Sequence, residues 1–328
     1  MSDFQVEEYK DMELSTQLII KESLKRGVKV EVLDRKEQFI RLSKDGRSEY
    51  VREATKTSLD SYITSLLLEN KWVAKILMQE AGVKTPKAHL ISDAAQADEI
   101  FSELEDFGWV VKPKSTNFGI GVHIFSNKPE KNEFVKAALD AAKHGDVLVE
   151  EYVEGPEYRF LIMGDECVAV LNRVPANVIG DGKSTIAELV TEKNRHPWRG
   201  QGYKTPLEKI QMGKEEEGVL SDHNLDFDSV PDEGMQAFLR NNSNISTGGD
   251  SLDVSDTMHD YYKEEAVKAA KSVGAVLCGV DIIIPKTDAP DDYAVIELNF
   301  NPVLYFHDFP FVGKNRGSAK HLMDLLGF

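Results

Sequence analysis

Apolar residues Leu14, Leu18, Ile19 and Leu24 recur at helical spacing, and Gly27 stands where a left-handed glycine would close such a helix. The period then drops to two. In VKVEVL (28–33) the apolar residues fall at 28, 30 and 32, and the runs 39–42 and 49–51 flank Asp45-Gly46, a hairpin turn signal. The spacing predicts one helix over 58–81, stopped by Gly82 with Pro86 beyond. A compact module follows: a helix over 93–106, a strand at 109–112, a glycine-bearing loop at 115–121, a strand at 122–126, an amphipathic helix over 130–143 and a strand at 147–153. Strands at 157–163 and 167–173 then meet at Gly164-Asp165. The stretch 175–255 is rich in Gly, Asp, Asn and Lys and predicts irregular chain with one helix near 184–194. A connection that long is usually functional. The remainder predicts a helix at 257–273, strands at 275–284 and 293–298, and a helix near 318–326. The pattern is α+β, and 328 residues allow two or three packed units at roughly 100–200 residues each. The expected divisions are 1–70, 71–155 and 156–328.

Charge narrows the partners. With 39 basic and 56 acidic residues the net charge is −17, which disfavours nucleic acid and anionic membranes as partners. The opening residues MSDFQVEEYKDMELS show neither a basic region nor an apolar core of a signal sequence, and no apolar run reaches the roughly 18 residues a membrane helix needs. Cys167 and Cys278 each lie in an apolar stretch and read as buried thiols. A cytoplasmic location is the expectation.

Four constellations carry candidate chemistry. Asp281 lies in GVDIII, while Glu297 and Asn299 lie two apart in VIELNFN and so share one face of a strand. Side by side, these oxygens suit a hard cation such as Mg²⁺. The same residues also fit a strand cap and a surface ion pair. Lys112 ends the run WVVK ahead of a loop with Gly119 and Gly121, a pattern suited to phosphate oxygens or to a plain hairpin. In VLVEEYVEGPEYR (147–159), Glu150, Glu151, Tyr152 and Val153 offer backbone groups to a base edge, and Glu157 suits ribose hydroxyls; a charged edge strand explains them equally. In RNNSNISTGG (240–249), Arg240 is a fixed cation and Ser246 and Thr247 are donors on a flexible backbone, a mix that stabilises a phosphoryl or tetrahedral anion or simply makes a polar turn. Arg159, Arg173, Arg195 and Arg199 are candidates for substrate carboxylates, which guanidinium groups bind in two-point fashion. The histidines are scattered with no helical i, i+4 pair. No G-x-S-x-G motif occurs, and His307 in YFHDFPF reads as a packing residue, with a place facing the site as the alternative.

The order Lys75 in NKWVAK, VVKPKSTNFGIGV, VEEYVEGPEYR, NNSNISTGG, CGVDII and IELNFNP resembles the ATP-grasp superfamily of carboxylate–amine ligases. The similarity is strongest to the C-terminal region of the enzyme that fuses glutamate–cysteine ligase to glutathione synthetase, and ELSTQ, VKVEVLDR, RVPANVIGDGKSTIAELV and RGQG also resemble cyanophycin synthetase. The resemblance covers nearly the whole chain. It implies two α+β lobes clasping ATP behind a reduced N-terminal α/β segment. It implies that Lys75 and Lys112 hold phosphates, Glu150 to Val153 line adenine and Glu157 contacts ribose. Asp281, Glu297 and Asn299 would bind two Mg²⁺ (or Mn²⁺), and Arg240 with the following loop would stabilise an acyl phosphate. Asn301 joins the arginines on the substrate side. The substrates implied are an amino acid or short peptide, with a possible homodimer. The sequence departs from the fused enzyme in lacking the glutamate–cysteine ligase module, so a separate partner supplying the substrate is an expectation. Gly279 stands where D-alanine ligases carry an arginine, which argues against a D-alanine substrate.

Overall fold

The computed structural model describes residues 4–92, 96–116, 120–287 and 290–328. The chain forms two compact units. One comprises Met1–Leu59, Val168–Thr257 and Asn301–Phe328; the other comprises Asp60–Cys167 and Met258–Phe300. The glycine-bearing loop of 115–121 lies partly outside the described residues, Gly119 included.

The second unit holds two antiparallel arrays. The first has strands in the order Ala88–Ile91, Val147–Glu151, Trp109–Pro113 and His123–Phe125. Alternation divides its faces: Trp109, Val111, Val147 and Val149 are buried together with Phe134, Ala137, Ala138 and Ala141 of helix Lys131–Ala141. Lys112, Leu148 and Glu150 therefore share the opposite face. The second array places Leu277–Ile283 between Glu157–Met163 and Ala294–Asn299. Phe160, Ile162, Cys278, Val280 and Ile282 fall on one face and are fully buried, and helix Asp260–Ser272 packs on these strands. The other face brings forward Glu157, Arg159, Gly279, Asp281, Glu297 and Asn299. In the register, Asp281 stands opposite Arg159 on one side and Glu297 on the other.

The single helix expected over 58–81 is two helices, Tyr62–Glu69 and Lys71–Glu80. Asn70 separates them: its backbone is extended, and its side-chain oxygen accepts from the Val73 amide at 3.2 Å. Asparagine competes with the helix for backbone donors and so makes a better cap than interior residue. The break starts a fresh helix at Lys71, one turn ahead of Lys75.

In the first unit, helix Leu14–Lys25 packs against helix Ser318–Leu325 and against the first strand of a sheet of Lys29–Asp34, Phe39–Lys44 and Arg47–Arg52. Gly27 sits at φ +69 and closes the helix as its position suggests. The stretch 175–255 is more regular than expected. Besides helix Ile186–Lys193 it contains helix Lys214–Asp222, strands Asn177–Ile179 and Gln236–Phe238 paired antiparallel, and a core of Ala176, Val178, Ile186, Val190, Leu220 and Leu239. The KEEE opening of the second helix reads as polar loop. Its acids instead complement the positive helix start, and Glu216 accepts from the Gly213 amide at 3.0 Å.

Candidate functional site

The polar faces of the second unit carry a linked set of charges. Lys75 and Lys112 each bind one oxygen of the Glu150 carboxylate, at 2.8 and 2.5 Å. The Lys75 and Glu150 side chains are only 3% and 4% exposed. Burial alone would raise the Glu150 pKa, but Lys112 and Lys75 outweigh it and hold the carboxyl below its ordinary value. Burial works to lower the pKa of Lys112, and Glu150, Glu297 and Glu157 reverse the direction. For Lys75 burial wins, and its ammonium sits below the usual lysine range.

Arg159 reaches across Gly279 to clasp both oxygens of Asp281, with Nη2 at 2.7 Å and Nε on the second oxygen. The glycine leaves room for that side chain: a Cβ at 279 would lie 3.2 Å from Arg159 Cδ and 3.4 Å from Asn299 Cβ, close enough to push the guanidinium aside. Asn299 donates through Nδ2 to Asp281 at 3.0 Å. Glu297 pairs with Lys71 at 3.2 Å, and Lys71 also donates to the Thr116 carbonyl at 2.6 Å. Lys71, Lys75 and Glu297 line one small hollow with Ala74 and Ile296. Lys71 is a site residue that motif reading passes over, although its i, i+4 spacing to Lys75 in NKWVAK is the available signal. Among the described residues, this set balances Lys71, Lys75, Lys112 and Arg159 against Glu150, Glu157, Asp281 and Glu297. No group of three His, Cys, Asp or Glu side chains that could hold a metal gathers among the described residues. The candidate donors are thus two facing carboxylates and an amide, all hard oxygens.

The segment expected to face a base has partly committed backbone. The Glu151 amide donates to the Lys87 carbonyl at 2.9 Å and the Tyr152 amide to the Gly108 carbonyl at 2.8 Å, while Val153 follows directly. Gly121 adopts φ +71, and a Cβ there would lie 2.9 Å from Pro113 Cγ, so the described end of the loop needs glycine.

The remaining candidates lie in the first unit, where the 240–249 segment is held from several sides. Arg173 donates to the Ser243 carbonyl at 3.2 Å and to Asn244 Oδ1 at 2.7 Å. Arg199, its side chain fully buried, donates to the Gly248 carbonyl at 3.0 Å and the Glu208 carbonyl at 2.7 Å and pairs with Asp250. Asp250 also takes Lys193 at 2.6 Å and Asn177 at 3.0 Å. Ser246 and Thr247 lie in a 3₁₀ turn, and Thr247 donates to the Asn244 carbonyl at 3.0 Å. Gly248 ends the turn at φ +95, with room for no Cβ because the Ile210 Cα would lie 2.7 Å away. Arg240 is paired with Glu215 and, at 2.6 Å, with the buried Glu216. Asn301 sits at φ +56, accepts from Thr55 and donates to Glu53 at 3.1 Å. The second unit thus gathers Lys75, Lys112, Glu150, Arg159, Asp281, Glu297 and Asn299. In the first unit Arg173 and Arg199 brace the loop of Ser246 and Thr247.

Two family models match: an ATP-grasp-like domain over residues 10–63, and the ATP-grasp (A) domain of phosphoribosylglycinamide synthetase over 69–177. These matches and the architecture define an ATP-grasp protein. Within that class the chain is similar to the glutathione biosynthesis bifunctional protein GshAB. It is 47% identical to that of Clostridium perfringens over 328 residues (99% of this chain, 42% of the relative) and 48% identical to that of Listeria innocua over 318 residues (96% and 41%). Among solved structures, a bifunctional glutathione synthetase from Pasteurella multocida aligns with a TM-score of 0.79 and 42% identity, covering 99% of this chain and 45% of that one. The chain spans less than half the length of these relatives. Among the described residues no helix is long and apolar enough to cross a membrane.

Proposed function

We propose that this chain is an ATP-dependent carboxylate–amine ligase that joins γ-glutamylcysteine to glycine. The observation that carries the reading is the paired arrangement in the second unit: a row of lysines (Lys71, Lys75, Lys112) in one charge-balanced set with the facing acids Asp281 and Glu297. The similarity to the glutathione-synthesising proteins named above supports the choice of substrates.

In this reading residues 71–155 act as the smaller ATP-grasp lobe and 156–328 as the larger. Lys75 and Lys112 neutralise phosphate oxygens, Gly119 and Gly121 let the loop approach them, Glu150 to Val153 present main chain to adenine, and Glu157 takes the ribose. Asp281, Glu297 and Asn299 hold two divalent cations, Mg²⁺ or Mn²⁺, which supply charge neutralisation on the triphosphate. The donor set fits that role, with Arg159 and Lys71 as the cations that share these carboxylates. A carboxylate oxygen of the acid substrate attacks the γ-phosphorus and ADP leaves, giving an acyl phosphate. The glycine nitrogen attacks the acyl carbon, inorganic phosphate leaves and the nitrogen loses a proton. Arg240, Ser246 and Thr247 stabilise the charge on the acyl phosphate. Arg159, Arg173, Arg199 and Asn301 orient the acid substrate, directly or by bracing the loop. A preceding glutamate–cysteine ligation must supply that acid.

The test is a panel of acids and amines assayed for phosphate release with the product weighed by mass spectrometry. The expected result is ADP, phosphate and a product of glutathione mass from γ-glutamylcysteine and glycine. Turnover with other amino-acid pairs and none with these would overturn the substrate assignment, and ATP binding without turnover on any pair would overturn the ligase reading.

A further inference from the structure

We infer that the Glu150 side chain is a positioning residue for the phosphate-holding lysines rather than a contact to the base. The inference rests on the ATP-binding reading above and extends it to a group whose side chain that reading leaves without a task.

The geometry is specific. Lys75 comes from helix Lys71–Glu80, Lys112 from strand Trp109–Pro113 and Glu150 from the neighbouring strand Val147–Glu151. In the register Val110 faces Glu150 and Lys112 faces Leu148, so Glu150 and Lys112 are diagonal neighbours on one face. Each lysine takes a different oxygen of the same carboxylate, at 2.8 and 2.5 Å, and Lys75 donates besides to the Pro86 carbonyl at 3.1 Å. Both carboxylate oxygens are thus engaged, and 4% exposure leaves Glu150 little surface to offer an adenine amino group.

The electrostatics give this arrangement a purpose. Two ammonium groups brought this close in a buried place repel each other, and burial disfavours the charged form of each. One carboxylate between them keeps both protonated and fixes their separation. It also leaves the trio one positive charge in excess, which is what an anionic ligand needs. Lys75 is the more vulnerable member because burial already lowers its pKa; Glu150 and Glu151 support its proton, and Lys112 opposes it. Lys112 has Glu297 and Glu157 as further support.

Two simpler roles predict different behaviour. If Glu150 acted only through bulk charge, removing a negative group would tighten phosphate binding. If it read adenine, its loss would weaken ATP and leave a ligand without a base untouched. The positioning role predicts that Glu150→Gln weakens ATP and inorganic tripolyphosphate by a similar factor, roughly 30-fold, the effect of truncating one partner of a buried charge pair.

The experiment is isothermal titration of the full chain with ATP and separately with sodium tripolyphosphate, both with EDTA so that metal does not mask the lysines. Steady-state kinetics with Mg²⁺ accompanies it. The expected result is parallel weakening of both ligands and a raised KM for ATP, with KM values for the acid and amine unchanged. Unchanged or tighter tripolyphosphate binding overturns the inference, as does selective loss of ATP. A wild-type chain that binds ATP but not tripolyphosphate also overturns it; if it binds neither without metal, the comparison is repeated with Mg²⁺, and no ATP binding there refutes the ATP-binding reading itself. Should Glu150→Gln fail to fold, the inference requires that Glu150→Gln combined with Lys75→Met, which removes one charge of each sign, restores folding. A double variant as unstable as the single one overturns it.

Discussion

Replacing Asp281 by Asn separates two jobs that the structure gives this carboxylate. Asp281 is buried and accepts from both Nε and Nη2 of Arg159 and from Asn299. The amide cannot receive Arg159 as a charge partner and brings an N–H to face it. The Arg159 side chain is 16% exposed, so the variant strands a largely buried cation. Breaking one partner of such a pair costs about 3–5 kcal/mol. In a unit of about 150 residues each kcal/mol lowers the melting temperature by about 2–4 °C, so a drop of about 6–20 °C is expected. Urea titration followed by circular dichroism measures the loss, and phosphate release measures turnover. Adding Arg159→Met removes the stranded charge, and most of the lost stability should return because a buried pair replaced by neutral groups is often nearly as stable. Turnover should not return, because a cation site on the triphosphate still lacks its acid and the acid substrate has lost Arg159. A single variant less than about 1 kcal/mol below wild type would refute the pairing argument. A double variant that regains turnover would refute both the cation role of Asp281 and the substrate role of Arg159.

Three further outcomes are expected. Asp250→Asn leaves Arg199 and Lys193 without their shared carboxylate, so urea unfolding should show a loss of about 3–5 kcal/mol, and the KM for the acid should rise because Arg199 also holds the Gly248 carbonyl; a stable variant with normal KM would refute this bracing. Cys278 is fully buried, and burial pushes its thiol up to about 12, so a thiol reagent at neutral pH should label it only after denaturation, as peptide mapping would show. For Asp253, burial works to raise the carboxyl, but Arg316 and Ser255 outweigh it and hold the pKa below its ordinary value. Stability from this pair is therefore present above the unfolded value near pH ~4 and lost as pH falls through the folded one; Arg316→Gln should flatten the acid limb of a urea-midpoint profile, and an unchanged slope would count against the linkage.

The sequence made the local pieces legible where a period ran unbroken. The alternation in 28–33 and 109–112, the Gly27 stop and the strand carrying Asp281 all stand where the pattern puts them. It misled where a polar residue does structural work inside an apolar run, as Asn70 does, or where acids open a helix, as at 214–217. Which charges pair was not legible. That Arg159 meets Asp281 depends on a register across two strands separated by more than 100 residues, and that Arg240 meets Glu216 depends on the helix at Lys214–Asp222 being there at all. Cys167, read as buried, is half-buried near the hairpin turn, because an apolar neighbourhood in sequence does not fix depth.

The first unit draws its chain from three separate stretches, and its opening helix is closed by its last one. Arg26 donates to Asp324 and to the Phe328 carbonyl at 2.8 Å, and Ser23 meets Met323. During synthesis the first 59 residues therefore leave the ribosome long before the helix that completes their core. They must wait, with the helix face that meets Ser318–Leu325 uncovered, while the other unit is made and folded. Nascent chains of this protein should lean on chaperones, and clipping the final ten residues should undo a domain that begins three hundred residues earlier.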